Sequence, residues 1–295
     1  MMEDYRYRVR HLTTYDYSGR IDICHSIAHL KPRENEHQEV LSHRVDVTPE
    51  PFFRAEREDY WNNGTLYFEI QGSHDRLEVL STLTVEKQVG ETMEPKSGVA
   101  WDDKKERLRS GDSDEAGLYF ANFLLPTRIC PFVEAIDAFL EPSLTPGKDS
   151  MELASEIMTR IYKEFSYVPG ATDTTTPLET VMETKKGVCQ DFAHVFIAAL
   201  RRVGIPARYV SGYLETEPPP GQEKLQGADA THAWIEAYSR KTGWLGFDPT
   251  NNRIPEHQHI KIAHGRDYFD VQPLKGLFVG SGGQVLSVEV DVERF

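Results

Sequence analysis

Cys189 is the residue whose setting in this sequence best suits a nucleophile. Gly187 precedes it and permits a sharp turn of the entering chain, and Gly204 and Pro206 are typical of a helix end. We therefore predict a helix with Cys189 in its first turn. There, backbone N–H groups stabilise the attacking thiolate, and the N–H of Cys189 can bind an oxyanion. The helix-spaced apolar residues are Phe192, Val195, Phe196, Ala199, Leu200 and Val203.

His232 is the histidine best suited to activate that thiol. It lies in an alternating stretch, 231–238, that predicts a strand, and residues 244–248 predict a second strand after a turn. If the turn is centred on Arg240, His232 and Asp248 lie opposite one another, with Cβ atoms about 5 Å apart. Asp248 would then hold one imidazole nitrogen while the other reaches the thiol. A slip of one residue would place the pair on opposite faces of the sheet.

Other interpretations of these residues stay open at this stage. Free cysteine is commonly buried and inert, as we expect of Cys24 and Cys130. His194 is close to Cys189 in sequence but leaves its helix face, since five residues rotate by about 140°. A loop-like stretch contains three further histidines, but no carboxylate or cysteine spacing completes a metal site there, so neither a metal nor a cofactor is expected. These histidines are His257, His259 and His264.

The elements that must position these residues form three regions. Short alternating runs separated by turn residues predict a small β-sandwich over 1–85, with one face packed and the other in water. Residues 86–148 are interrupted by Gly, Pro and charges and predict a connector with local structure, including a helix over 132–140. Residues 149–295 would form the catalytic core. It opens with a helix over 151–165 that Asp149 or Ser150 could cap.

Composition limits the classes of partner. The net charge of −14 over 295 residues disfavours nucleic acid and membrane surfaces as partners. Three widely spaced cysteines argue against a disulfide framework, and the first residues lack the apolar segment of a secretory signal. No stretch approaches the roughly 20 apolar residues of a membrane span. We therefore expect a cytoplasmic protein whose partner is a peptide or protein substrate; the sequence does not set its oligomeric state.

Three blocks resemble bacterial transglutaminase-like proteins. Residues 187–213 resemble their nucleophile region, 231–238 their histidine block and 243–250 their aspartate block, in the same order and spacing. Residues 11–17 and 30–33 resemble the β domain that precedes the core in these proteins. The tail, 265–271, fits the same subfamily.

The resemblance implies an α+β fold with a papain-like core, in which the nucleophile helix packs on an antiparallel sheet. It also implies a triad of Cys189 as nucleophile, His232 as base and then acid, and Asp248 as its orienter. The papain-type glutamine that completes an oxyanion hole has no counterpart, and Tyr167 is the candidate in its place. Calcium-loop signatures are absent, so calcium dependence is not carried over.

The expected activity is acyl transfer from an amide or peptide bond through a thioester. Water as the acceptor gives a cysteine protease or amidase, which is the activity we expect of a compact bacterial-type protein. A protein-glutamine transglutaminase with an amine acceptor is the first alternative. An arylamine acyltransferase, a glycopeptide amidase and an inactive binding module that keeps the fold are the others.

Overall fold

A computed structural model of the protein describes residues 4–88, 98–103, 119–216 and 231–295. Much of the predicted connector therefore lies outside the described residues. Within them, no helix is both long enough and apolar enough to cross a membrane.

The N-terminal region is all β, as predicted. The strands β1 and β4 are each 25 residues long and pair antiparallel along most of their length, with the register shifting between Asp16 and Ile21. Alternate residues of both strands are buried, because one face of the sheet packs inward. The first four strands are β1 (Asp4–Ala28), β2 (Gln38–Thr48), β3 (Phe53–Glu58) and β4 (Gly64–Gln88).

The last two strands of the chain also lie in this sheet. β11 (Leu274–Gly280) and β12 (Gln284–Arg294) both pair antiparallel with β1. The range 149–295 predicted for the catalytic core thus includes a hairpin that completes the N-terminal sheet, and the β unit extends beyond 1–85. Pairing between the two ends of a chain is non-local, so local patterns do not reveal it.

Within the described residues, the catalytic region contains the α-helices α1 to α4 and a four-stranded antiparallel sheet in the order β10-β7-β8-β9. The helices are α1 (Glu134–Leu140), α2 (Ser150–Glu164), α3 (Leu178–Thr184) and α4 (Cys189–Arg202). The sheet strands are β7 (Ala207–Leu214), β8 (Thr231–Ser239), β9 (Gly243–Phe247) and β10 (His259–Gly265). Two short strands, β5 (Ser166–Tyr167) and β6 (Lys186–Gly187), pair in parallel just before α4.

The helix α4 is the centre of the core. It contacts the three other helices on one side and β7 and β8 on the other, so residues 191–201 are all buried. Gly204 follows the helix with φ of +82°, the left-handed conformation that ends helices. The predicted helix is therefore confirmed. It is buried nearly all round rather than along one stripe, because both of its sides are covered.

Asp149 caps α2, as predicted, and this gives a first testable prediction. Its carboxylate accepts hydrogen bonds from the backbone N–H groups of Met151 (2.8 Å) and Glu152 (3.3 Å). Asp149→Ala removes that acceptor and should lower the free energy of unfolding by about 1 kcal/mol. Urea denaturation followed by circular dichroism measures the change. Asp149→Asn keeps a capping oxygen and should cost less; equal losses in the two variants would contradict the capping role.

Candidate active site

Cys189 is the first residue of α4, and the loop before it is fixed by Asp191. The Asp191 carboxylate accepts from the backbone N–H of Val188 (2.8 Å) and from the hydroxyl of Thr172 (2.6 Å). Gly187 serves close approach rather than a sharp turn, because a Cβ there would lie 2.7 Å from Asp191 Oδ2. These contacts place the thiol at the end of a buried helix, while the cysteine itself stays partly accessible.

The imidazole of His232 lies between Cys189 and Asp248. Its Nε2 donates to Asp248 Oδ2 over 2.8 Å, and the Cys189 side chain lies close enough to raise the pKa of the ring. Burial alone would lower the pKa of His232. The hydrogen bonds and negative charges of Asp248 and Cys189 outweigh it and raise that pKa to about 10. At neutral pH the arrangement therefore favours a protonated imidazole that donates to the Asp248 carboxylate.

Asp248 is fully buried and accepts five hydrogen bonds. Its Oδ1 accepts from the backbone N–H groups of Thr250 (2.9 Å) and Asn251 (3.2 Å). Its Oδ2 accepts from the Asn251 side-chain amide (2.7 Å) and His259 Nε2 (3.0 Å), besides His232. Burial alone would raise the pKa of Asp248, but these bonds hold it well below the ordinary value. Asp248 is therefore a carboxylate that positions two imidazoles.

The register of β8 and β9 differs from the prediction. Ser239 pairs with Gly243 and Ile235 with Phe247, so the turn is centred on Lys241 rather than on Arg240. The turn joins Ser239 to Gly243, whose φ of +69° lets the chain enter β9. Asp248 is thus offset by two residues from the position opposite His232. An offset of two keeps both side chains on one face, and a diagonal pair is still within reach.

Sequence reasoning missed two residues of the site, His259 and Asn251. Asn251 had a local signal, because an Asp followed three residues later by Asn is typical of a tight polar turn. His259 had none: the stretch predicted as a loop is strand β10, and His259 reaches Asp248 only because β10 pairs with β7. The other two histidines stay apart, His257 bonding Tyr7 and His264 lying beside Arg208.

His232, Asp248 and His259 also have the composition of a metal site. One ligand atom of each lies within 4.8 Å of the others. Asp248 Oδ2, however, accepts a hydrogen bond from Nε2 of each ring, so both Nε2 atoms carry protons. A metal ion would have to replace both protons, so the contacts fit a hydrogen-bonded site better than a metal centre.

Tyr167 and His194 differ in their relation to the triad. Tyr167 pairs with Gly187 across the short parallel strands and is 54% exposed. Burial, followed by the negative charge of Cys189, raises its pKa. His194 is buried away from the triad and accepts from the backbone N–H of Tyr268 over 3.3 Å. Burial lowers its pKa to about 3, so it is a neutral packing residue.

Two parts of the chain match known families. Residues 138–249 match the transglutaminase-like superfamily, and residues 7–86 match the bacterial transglutaminase-like N-terminal region. An uncharacterized protein of Mycobacterium tuberculosis is 35% identical over 296 residues, which span 99% of this chain and 93% of that protein. This chain belongs to the transglutaminase-like superfamily. The resemblance seen in its sequence blocks is therefore confirmed.

The transglutaminase-like fold is also that of a crystal structure of a candidate cysteine protease from Cytophaga hutchinsonii. The TM-score is 0.73 at 22% identity, covering 100% of this chain and 93% of the other, so the likeness concerns the fold. A protein-glutamine gamma-glutamyltransferase of Pseudomonas aeruginosa is 35% identical over 133 residues. That match covers 42% of this chain and 20% of the Pseudomonas protein.

The charge on His232 gives a second prediction. We expect its imidazole to stay protonated well above pH 7, because its pKa is about 10. Cys189→Ala removes a side chain that raises the pKa of His232 and should therefore lower that pKa. Histidine Cε1–H chemical shifts followed against pH report it, with His232→Gln identifying the resonance. Cys130→Ala removes a thiol that the structure does not place beside His232 and should leave the titration unchanged. A wild-type midpoint near 6.5 would contradict the ion-pair arrangement.

The raised pKa of His232 also makes the free energy of unfolding depend on pH. The folded-state pKa of about 10 lies above the unfolded value of 6.5. The stabilisation from His232 is therefore complete below pH 6.5 and is lost as the pH rises toward 10.

Proposed function

We propose that this protein is a cysteine-dependent hydrolase of amide or peptide bonds. The observation that supports it most directly is the position of His232, which donates to Asp248 and lies close to the Cys189 side chain at the start of α4. An imidazolium held between a buried carboxylate and a partly accessible thiolate is the arrangement of an activated cysteine nucleophile. The cytoplasmic location and the peptide substrate expected from the sequence are part of this proposal.

The first half of the reaction transfers an acyl group to sulfur. The Cys189 thiolate attacks the carbonyl carbon, and the C=O electron pair moves to oxygen. The backbone N–H of Cys189 stabilises this oxyanion, with the Tyr167 hydroxyl as the candidate second donor. The intermediate collapses, the C–N bond breaks, and His232 gives its proton to the leaving amine. The products are a thioester on Cys189 and a neutral imidazole.

The second half releases the acyl group to water. Neutral His232 removes a proton from a water molecule that attacks the thioester carbonyl, and the C–S bond of the resulting intermediate breaks. A carboxylic acid leaves, and the thiolate–imidazolium pair is restored. Asp248 keeps the Nε2–H of His232 toward itself throughout, so that the other ring nitrogen exchanges protons with the reacting groups.

Transamidation is the second candidate function. It shares the thioester and differs only in the acceptor, since a primary amine replaces water. The observation that favours it is the 133-residue match to the Pseudomonas protein-glutamine gamma-glutamyltransferase. The contacts of the triad are equally suited to both acceptors.

Trapping of the acyl-enzyme tests the proposal. The protein is mixed with a peptide library, quenched in acid and examined by intact-mass and peptide mass spectrometry. We expect an acyl adduct on the peptide that contains Cys189, absent from Cys189→Ala. The release of the acyl group from Cys189 is then followed with and without added cadaverine. Hydrolysis gives the free acid, and transamidation gives the cadaverine amide. Neither adduct nor product from a broad library would favour the inactive binding module.

A further inference from the structure

A cavity of about 460 Å³ lies between the N-terminal region and the catalytic sheet. Its sheet wall carries Trp234 and Glu236 of β8, Trp244 of β9, and Lys261 of β10, and Lys87 of β4 closes the opposite side. Trp234 and Glu236 alternate with Ile235 and Ala237, which pack in the core that contains α4. The cavity is therefore on the sheet face away from the nucleophile helix. Its volume is in the range of small-molecule sites.

Lys87 is a buried cation that contacts no carboxylate of the described residues. Only 7% of it is exposed, and its one hydrogen-bond partner is Gln38 Oε1 at 3.4 Å. That oxygen already accepts a shorter bond, 2.9 Å, from the backbone N–H of Lys261. In the part of the chain that the structure describes, no carboxylate lies within ion-pair distance of Lys87. A buried ammonium with one long hydrogen bond is costly unless an anion joins it.

The acidic residues of the cavity do not pair directly with Lys87, although the charge of Glu236 raises its pKa. Glu236 is paired with Arg208 (2.6 Å) and with Lys261 (2.6 and 2.7 Å). Burial would raise the pKa of Glu236, but these two cations lower it to about 2. Glu36 and Glu256, the other acids of the lining, are exposed to solvent at the rim. The interior thus holds three basic side chains against one carboxylate.

Burial lowers the pKa of Lys87 to about 8, so it remains mostly protonated at neutral pH. The rest of the wall combines Trp234, Trp244 and aliphatic side chains with polar residues such as Asn35, His37 and His257. The Trp244 ring also stacks under the Arg208 guanidinium, 4.0 Å away, which fixes both side chains. A ligand that fits must therefore present one anionic group to Lys87 and an apolar body to the tryptophans.

We propose that this cavity binds a small organic carboxylate with an aromatic or apolar body, whose carboxylate pairs with Lys87. The site adjoins the triad without being part of it. His259, which bonds Asp248, is on the cavity wall and packs edge-on against Trp234, with ring centroids 5.3 Å apart. Binding here requires no step of the proposed reaction.

Thermal unfolding with matched probes tests this site. Benzoate and benzamide have nearly the same shape and differ in charge. Melting of the full chain is followed by circular dichroism with up to 20 mM of each at pH 7 and constant ionic strength. A site-bound ligand at about ten times its Kd should raise the Tm by about 2–3 °C. We expect this rise with benzoate and not with benzamide.

Three variants assign the response to Lys87. Lys87→Met should abolish the benzoate response without lowering the Tm of the free protein, because it removes an uncompensated buried charge. Lys87→Arg keeps the charge and should retain a response. Lys163→Met, an exposed lysine of α2, should behave as wild type. The proposal is overturned if benzoate has no effect, if benzamide stabilises equally, or if Lys87→Met responds like wild type. None of these results bears on acyl-enzyme formation.

Discussion

Cys189→Ala is expected to abolish acyl transfer, lowering kcat/KM by on the order of 10⁵ or more, because no other group can form the thioester. Cys24 and Cys130 are both buried. Burial raises the pKa of the Cys24 thiol and raises that of Cys130 to about 12. Neither thiol can therefore replace the nucleophile. The backbone of α4 should be undisturbed, since alanine is the best helix former.

The difference in reactivity between Cys189 and the two buried thiols can be measured without knowing the substrate. In wild-type protein, iodoacetamide at pH 7 should alkylate Cys189 at least about 100-fold faster than the two buried thiols, because the thiolate is the reacting species. Peptide mass spectrometry against time gives the three rates. His232→Ala removes the imidazolium that stabilises the thiolate and should slow the reaction of Cys189 alone.

Labelling at equal rates at all three positions would contradict the assignment of Cys189 as an activated nucleophile. Cys24→Ala and Cys130→Ala are the matched controls, and each should leave Cys189 labelling unchanged. A loss of labelling in either would mean that the fold, and not the thiol chemistry, sets the rate.

The residues that local patterns identified are those whose neighbours lie nearby in the chain. The apolar spacing after Cys189 predicted α4, and Asp149 predicted the start of α2. Alternation predicted β8 and β9, because the period of a half-buried strand is visible in a few residues. The proximity of His232 and Asp248 could be predicted because a short hairpin joins those two strands.

The parts that were missed depend on distant pairing. His259 reaches Asp248 through the contact of β10 with β7, and the C-terminal hairpin pairs with β1 at the other end of the chain. Lys87 is buried only because the N-terminal sheet packs beside the catalytic sheet. The spacing of residues in the sequence carries no information on these contacts, so the sequence alone does not predict them.

Asp248→Asn is the second prediction with a large expected effect. All five groups that contact the Asp248 carboxylate are N–H donors. An asparagine has one acceptor oxygen, so its NH₂ group must face donors in either orientation. If the NH₂ group faces the rings, His232 loses its partner and its favoured tautomer. If it faces Thr250 and Asn251, the turn after β9 loses both backbone hydrogen bonds.

The expected results are a fall in kcat of about 10⁴-fold and a loss of several kcal/mol in the free energy of unfolding. Both effects should appear together, because the carboxylate orients His232 and also fixes a buried turn. Asp267→Asn is the matched control. Asp267 is also buried, but it caps a short helical turn by accepting from the backbone N–H of Phe269, a role that asparagine can take over.

The rate of Cys189 alkylation separates the two effects of Asp248→Asn. At temperatures where the Asp248→Asn protein is folded, its misoriented and less basic His232 should make the alkylation of Cys189 slower than in wild type. The removal of one anion also lowers the pKa of His232, so the thiolate loses its charged partner. A variant that is destabilised yet labels at the wild-type rate would restrict Asp248 to a structural role. Its bond to His232 would then be a feature of packing, and Cys189 would owe its reactivity to the N-terminus of α4 alone.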